Sequence, residues 1–97
     1  MTIDLSLNNA AIYAGCEVEE VNGRMNLITP VAQATSIIGR NARRIIDAVD
    51  VKERDEVILT GPMAVWAYLI VFHVVVHSFK AVYYSNGRET VLIAKHG

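Results

Sequence analysis

The chain is poor in cysteine, poor in proline and almost free of net charge. Among 97 residues there is one cysteine, Cys16, and there are two prolines, Pro30 and Pro62. A single cysteine excludes an internal disulfide and a cysteine-built zinc cage. Cys16 has no His or Lys near it in sequence, so an inert, inward-facing thiol is expected rather than a nucleophile. A formal net charge of −1 excludes a global basic field. No DNA partner is expected, and any anion site must be local. No linker or low-complexity stretch divides the chain, so residues 1–97 are expected to form a single domain. The opening MTIDLSLNN carries an early acid and no apolar leader run, which sets the cytoplasm as the expected compartment.

What the chain has is apolar surface: 53% of its residues are hydrophobic. So high a share in so small a domain predicts that another subunit covers part of the surface, making a homo-oligomer, with a dimer as the simplest form. The apolar residues concentrate in TGPMAVWAYLIVFHVVVH, Thr60 to His77. From Val57 to Phe79 there is no Asp, Glu, Lys or Arg. The window is long enough for a membrane span, which needs ~20 apolar residues. Its strictly apolar part is shorter, contains a histidine and lacks a basic flank, so no membrane insertion is expected. The run reads as a helix opening at Gly61-Pro62, with Pro62 in the first turn. Val65, Leu69, Phe72 and Val76 are assigned to its core face. Trp66, Ile70, His73 and His77 share a second stripe.

Around that helix the pattern is strand-like. Ile3, Leu5 and Leu7 alternate with polar residues, and alternation resumes from Ala10 to Glu20. Asn22-Gly23 predicts a type I′ hairpin turn, with Met25 to Ile28 returning. Thr29 and Pro30 read as the cap and first residue of a helix. Its core face is Val31, Ala34, Ile38, Ala42, Ile45 and Val49. Val51 to Glu56 is a charged connection, and Val57 to Thr60 a short central strand. Phe79 to Tyr84 alternates, Asn86-Gly87 turns, and Thr90 to Lys95 returns. Two helices on one face of a mostly antiparallel sheet give an α+β fold, ferredoxin-like in the broad sense.

Several groups could carry chemistry. Arg40, Arg43 and Arg44 share the polar face of the first helix; they could fork onto phosphates or simply be solvated. The strand–Gly61-Pro62–helix junction aims backbone N–H groups outward, where anions bind readily. His73 and His77, four residues apart, could form half of a metal site, with His96 as a third ligand. Equally, His73 could be a half-buried structural residue. A metal-free alternative is RNA cleavage by ribose 2′-OH attack, for which a histidine with a nearby Arg or Lys suffices. Its candidates are His77, Arg88, Lys95 and His96. Trp66, Tyr68, Tyr83 and Tyr84 could stack on bases or pack in the core.

The second half also resembles a known family. The runs TGPMAVW, HVVVH, FKAVY and VLIAKH are similar to those of the CRISPR-associated Csx-three (Crn-three) family of type III systems. The resemblance covers about residues 56–96 and places Gly61, Trp66, His73, His77, Tyr83 and His96 on the family pattern. It implies a compact α+β dimer that binds cyclic tetra-adenylate and linearises it as a ring nuclease, with sites assembled when dimers sandwich the ligand. It implies His77 as the catalytic histidine and Arg88 as its phosphate-stabilising partner. It also associates the family with a manganese-dependent RNA deadenylation. The family has Asp then Arg just after Ala-Val-Tyr; here Tyr84, Ser85, Asn86, Gly87 and Arg88 follow, and the Asp is absent. Three functions therefore stay open: ring cleavage without a cofactor, binding or oligomerisation without cleavage, and Mn²⁺-dependent RNA exonuclease activity.

Overall fold

A computed structural model of the chain describes residues 1–96. The elements run β1 (Thr2–Asp4), β2 (Val18–Val21), β3 (Arg24–Leu27), α1 (Val31–Asp47), β4 (Glu56–Thr60), α2 (Val65–Val75), β5 (Ala81–Ser85) and β6 (Thr90–Lys95). A short 3-10 turn, Val51–Glu53, leads into β4. Four strands form one sheet in the order β1-β4-β5-β6, and β2-β3 stands apart as a hairpin.

The fold is α+β, with both helices packed over the sheet as expected. The antiparallel expectation holds only in part. β5–β6 and β2–β3 are antiparallel, but β1–β4 and β4–β5 run parallel. The cause is connectivity. Each parallel pair is joined through a helix, which carries the chain back so that the next strand starts from the same end. Right-handed crossovers taken in one direction across a sheet place both helices on one face. There Ile3, Val57, Leu59 and Val82 meet Ala34, Ile38, Ala42 and Ile46 of α1 and Val71 and Val75 of α2 in one buried core.

α1 follows its sequence pattern. Ala34, Ile38, Ala42 and Ile46 recur every fourth residue and are fully buried, as an amphipathic helix requires. The small residues let α2 come close: Ile70 lies 3.6 Å from where a Cβ on Gly39 would sit. Thr29 is not the cap. Pro30 occupies that position with no side-chain bond, and the Thr29 hydroxyl accepts the Glu17 N–H at 2.7 Å. Val31, expected inside, is exposed.

α2 departs further. It begins at Val65, after Ala64, so Gly61-Pro62 forms the bend before the helix rather than its first turn. Its buried residues are Ala67, Val71 and Val75. Val65 and Leu69, assigned to the core by spacing, are 73% and 62% exposed. At 11 residues the helix is roughly 16 Å long, far short of a ~30 Å bilayer core. Among the described residues no helix is long and apolar enough to cross a membrane.

The long alternation from Ala10 to Glu20 becomes a strand only at Val18–Val21; residues 10–15 are turns. Ile12 and Tyr13 are both buried there. The Tyr13 hydroxyl donates to the Leu5 carbonyl. Asn41 of α1 is buried and donates to the carbonyls of Ile12 at 2.7 Å and Ala14 at 2.9 Å. These bonds hold an irregular segment that has no ladder of its own. The first Asn-Gly turn has φ of 52° at Asn22 and 78° at Gly23, as a type I′ turn demands. At the second turn only Gly87 is positive, at 92°; the Asn86 side chain accepts the N–H groups of Arg88 and Glu89 instead.

Candidate functional site

The parallel strands give the domain two distinct ends. At the carboxyl end lie Asp4, Thr60 and Ser85, the last residues of β1, β4 and β5. At the amino end lie the close of both helices, the start of β5 and the close of β6. Candidate residues are divided between them.

Gly61 and Pro62 follow β4 at the carboxyl end. Gly61 has φ of 101°, and a Cβ there would lie 2.2 Å from Asp4 Oδ1 and 2.8 Å from the Ser6 nitrogen. Asp4 is fully engaged nearby: Oδ1 accepts the Ser6 N–H at 2.8 Å and Oδ2 the Ser6 hydroxyl at 3.0 Å. The Thr60 hydroxyl donates to the Ser85 carbonyl at 2.8 Å, tying the β4 and β5 ends together. Between the two turns is a recess of about 390 Å³ lined by Thr60, Gly61, Pro62, Tyr84, Ser85, Asn86 and Gly87. Open sheets of parallel strands bind ligands at this end. Arg88 follows the recess directly and is exposed.

Tyr68 supports this end from α2. Its hydroxyl donates to the Gly61 carbonyl, and its ring meets Tyr84 edge-on with centroids 5.6 Å apart. Burial, then the neighbouring Tyr84 and Asp4, pushes the Tyr68 hydroxyl up to about 12. Burial, then Asp4, Cys16 and Tyr68, pushes Tyr13 to about 12 as well. Both ordinary values are 10.0. A folded-state value raised above the unfolded one contributes stability that is complete below the unfolded value and lost as pH rises through the folded one. The urea unfolding midpoint should therefore fall between pH 10 and about 12. An unchanged midpoint across that window would show the two phenols to be ordinary.

His73 and His77 occupy the amino end. Both are exposed, so His73 is not the half-buried residue the sequence allowed. Their rings meet edge-on with centroids 5.8 Å apart. His77 lies in the turn after α2 closes. Arg43 Nη1 reaches across from α1 to the next residue, donating to Ser78 Oγ at 3.4 Å. Arg44 is exposed in the last turn of α1. Lys95 closes β6, and the His96 N–H donates to the Lys80 carbonyl at 2.6 Å. Lys80 itself pairs with Asp55 at 3.2 Å. The amino end thus gathers His73, His77, Arg43, Arg44, Lys95 and His96.

His77 and Arg88 are consequently not neighbours. β5 alone, five residues long, spans roughly 13 Å between them at the ~3.3 Å rise of a strand. The two side chains start from opposite ends of the sheet. Nor do the three histidines converge. Among the described residues no three His, Cys, Asp or Glu side chains gather as a metal site would require.

Trp66 is half-buried against the core, as are Tyr68 and Phe72, so its ring packs rather than stands free for a base. Tyr84 is the more open ring. Cys16 is half-buried. Burial pushes its thiol up, offset in part by a hydrogen bond with Thr29, which suits an inert residue. Sequence reasoning missed Asp4, Ser6 and Tyr68 as the framework of the Gly61 bend. The only available signal was that a strand followed by Gly needs something to pack against its missing side chain. Compared with protein-family models, curated proteins and solved structures, the chain matches none.

Proposed function

We propose that this chain binds cyclic tetra-adenylate in the cytoplasm and opens the ring, acting as an oligomer in the manner of the Csx-three (Crn-three) ring nucleases it resembles. The observation that carries this reading is the split of histidine and arginine between opposite ends of the domain. His77 stands exposed at one end beside Arg43, and Arg88 stands at the other beside a recess. A ring held between the amino end of one copy and the carboxyl end of another receives both groups at once. That is a heterologous contact, which needs at least two copies.

In such a sandwich the ribose 2′-oxygen attacks the adjacent phosphorus while the bond to the 5′-oxygen breaks. His77 assists proton transfer from the 2′-hydroxyl toward the leaving 5′-oxygen. Arg88 stabilises the charge that builds on the phosphorane, its fork matching the phosphate oxygens. Arg43, Arg44, Lys95 and His96, at the same end as His77, serve as further phosphate contacts. The Gly61-Pro62 bend and Tyr84 line the opposing recess. No metal ion takes part in this scheme.

The absent Asp favours a second reading, in which the chain binds the ring without cutting it. Tyr84 and Ser85 stand where the family has its carboxylate; of the acids on that end, Asp4 is committed to Ser6 and Glu89 lies in the turn beyond Arg88. Incubation of cyclic tetra-adenylate with excess protein separates the two. Linear products with 2′,3′-cyclic phosphate and 5′-hydroxyl ends are expected. Intact ring with measurable binding would leave the binding module alone standing. No binding would remove both.

A further inference from the structure

We propose that α2 and β6 form a two-fold seam at which two copies of this chain associate, with the β6 strands antiparallel to each other about Leu92. β6 is the last strand of the sheet. Edge strands that stay alone are shortened, charged, interrupted by proline or covered. β6 is the longest strand in the sheet, and from Thr90 to Ala94 it has neither charge nor proline. Val91, Leu92 and Ile93 are 45%, 51% and 53% exposed.

The exposed apolar surface continues onto the helix. Ile93 has no partner on β5, since Val82 pairs with Ala94 and Tyr83 with Leu92. The irregularity brings Ile93 to a groove of about 210 Å³ that it lines with Leu69, Phe72 and Tyr84. Leu69 and Val65 stand out of α2 beside it, both largely exposed. Together Val65, Leu69, Tyr84, Val91, Leu92 and Ile93 expose on the order of 600 Å², close to the ~800 Å² per partner of a standard interface.

The charges point to a second copy as the occupant. Glu89 and Lys95 bracket the apolar run, at equal distances from Leu92. In an antiparallel two-fold pairing Glu89 of one copy faces Lys95 of the other, twice. Val91 faces Ile93 twice, and Leu92 faces itself. A parallel pairing would set like charges together. The stretch from Val57 to Phe79, which includes α2, has no Asp, Glu, Lys or Arg, so a charged partner would find no counterion on the helix side of the groove. An isologous seam needs only this self-complementarity. It lies along the side of the domain, drawing only Lys95 from the amino-end cluster and Glu89 from the turn after β5. It does not depend on ligand, so its failure would not be the failure of the ring nuclease reading.

Sedimentation equilibrium without ligand tests the seam. At about 50 μM chain, a concentration that populates a complex of micromolar dissociation constant, the wild type should have a mass of about 21 kDa, twice the 10.7 kDa of one chain. Leu92→Arg changes an exposed side chain, so it should keep the wild-type far-UV spectrum and run at 10.7 kDa. Glu89→Lys and Lys95→Glu should each weaken association by roughly tenfold, and the double exchange should restore it. A monomeric wild type, a Leu92→Arg variant that stays dimeric, or single charge reversals without effect would each overturn the seam. So would a double exchange that fails to restore association.

Discussion

Gly61→Ala should lower the melting temperature of this domain by about 15 °C. A side chain at φ of 101° is strained wherever it sits. Here it would also lie 2.2 Å from Asp4 Oδ1 and 2.8 Å from the backbone nitrogen of Ser6. The Asp4 carboxylate could swing away, but it would lose both bonds to Ser6. The backbone nitrogen cannot move without disturbing Leu5, whose N–H donates to the Thr60 carbonyl at 2.7 Å. Strain of this kind costs about 1–3 kcal/mol, and the broken bonds add about 1 kcal/mol each. For a domain of this size 1 kcal/mol moves the midpoint by about 4–8 °C. Thermal unfolding followed by circular dichroism is the measurement. The neighbouring Pro62→Ala, at an exposed position that packs little, is the control and should shift the midpoint by only a degree or two, about 0.3 kcal/mol.

His77→Ala should slow opening of cyclic tetra-adenylate by about 10²–10⁴-fold, the ordinary contribution of one acid–base group. Stability should hardly change, because His77 is exposed, lies beyond the last helical residue and contacts mainly His73. Arg88→Ala should cost a similar factor of about 10²–10³, as loss of one charge-stabilising donor does. Retained cutting by His77→Ala in single-turnover assays would remove His77 from the chemistry. The two losses should have different companions. His77→Ala should leave ring binding close to wild type. Arg88→Ala should weaken binding too, since in the proposed site the arginine would hold phosphate before and during the reaction.

What the sequence told depended on whether a local signal existed. Ala34, Ile38 and Ala42 could be placed inside because Gln33, Arg40 and Arg44 mark the other side of the same helix. The Asn22-Gly23 turn could be placed because few other dipeptides accept two positive φ values. α2 offered no such contrast. It is apolar all round, so spacing could not say which stripe faces the sheet, and Val65 and Leu69 came out exposed while Ala67, Val71 and Val75 were buried. Strand direction was also hidden. Whether β4 lies parallel to β1 is decided by α1 between them, a long-range matter that alternation within a strand does not report. From Ala10 to Cys16 the alternation resembled a strand, but the segment pairs with none, and Asn41 takes the carbonyls of Ile12 and Ala14 instead.

The candidate site was legible as residues and not as geometry. His77, Arg43, Lys95 and His96 were all singled out by type, and the fold brings them to one end. Arg88 was grouped with His77 as if the two shared a pocket, and β5 holds them at opposite ends. Under the proposed ring cleavage, that separation would make the oligomer part of the chemistry rather than an accessory to it.

The central claim is therefore that His77 of one copy works with Arg88 of another. Mixing inactive His77→Ala with inactive Arg88→Ala tests it directly. Each junction between a chain that keeps His77 and a chain that keeps Arg88 is intact, so about a quarter of wild-type cutting should return in an equal mixture. A mixture as inactive as its two components, while both still bind the ring, would contradict the shared site.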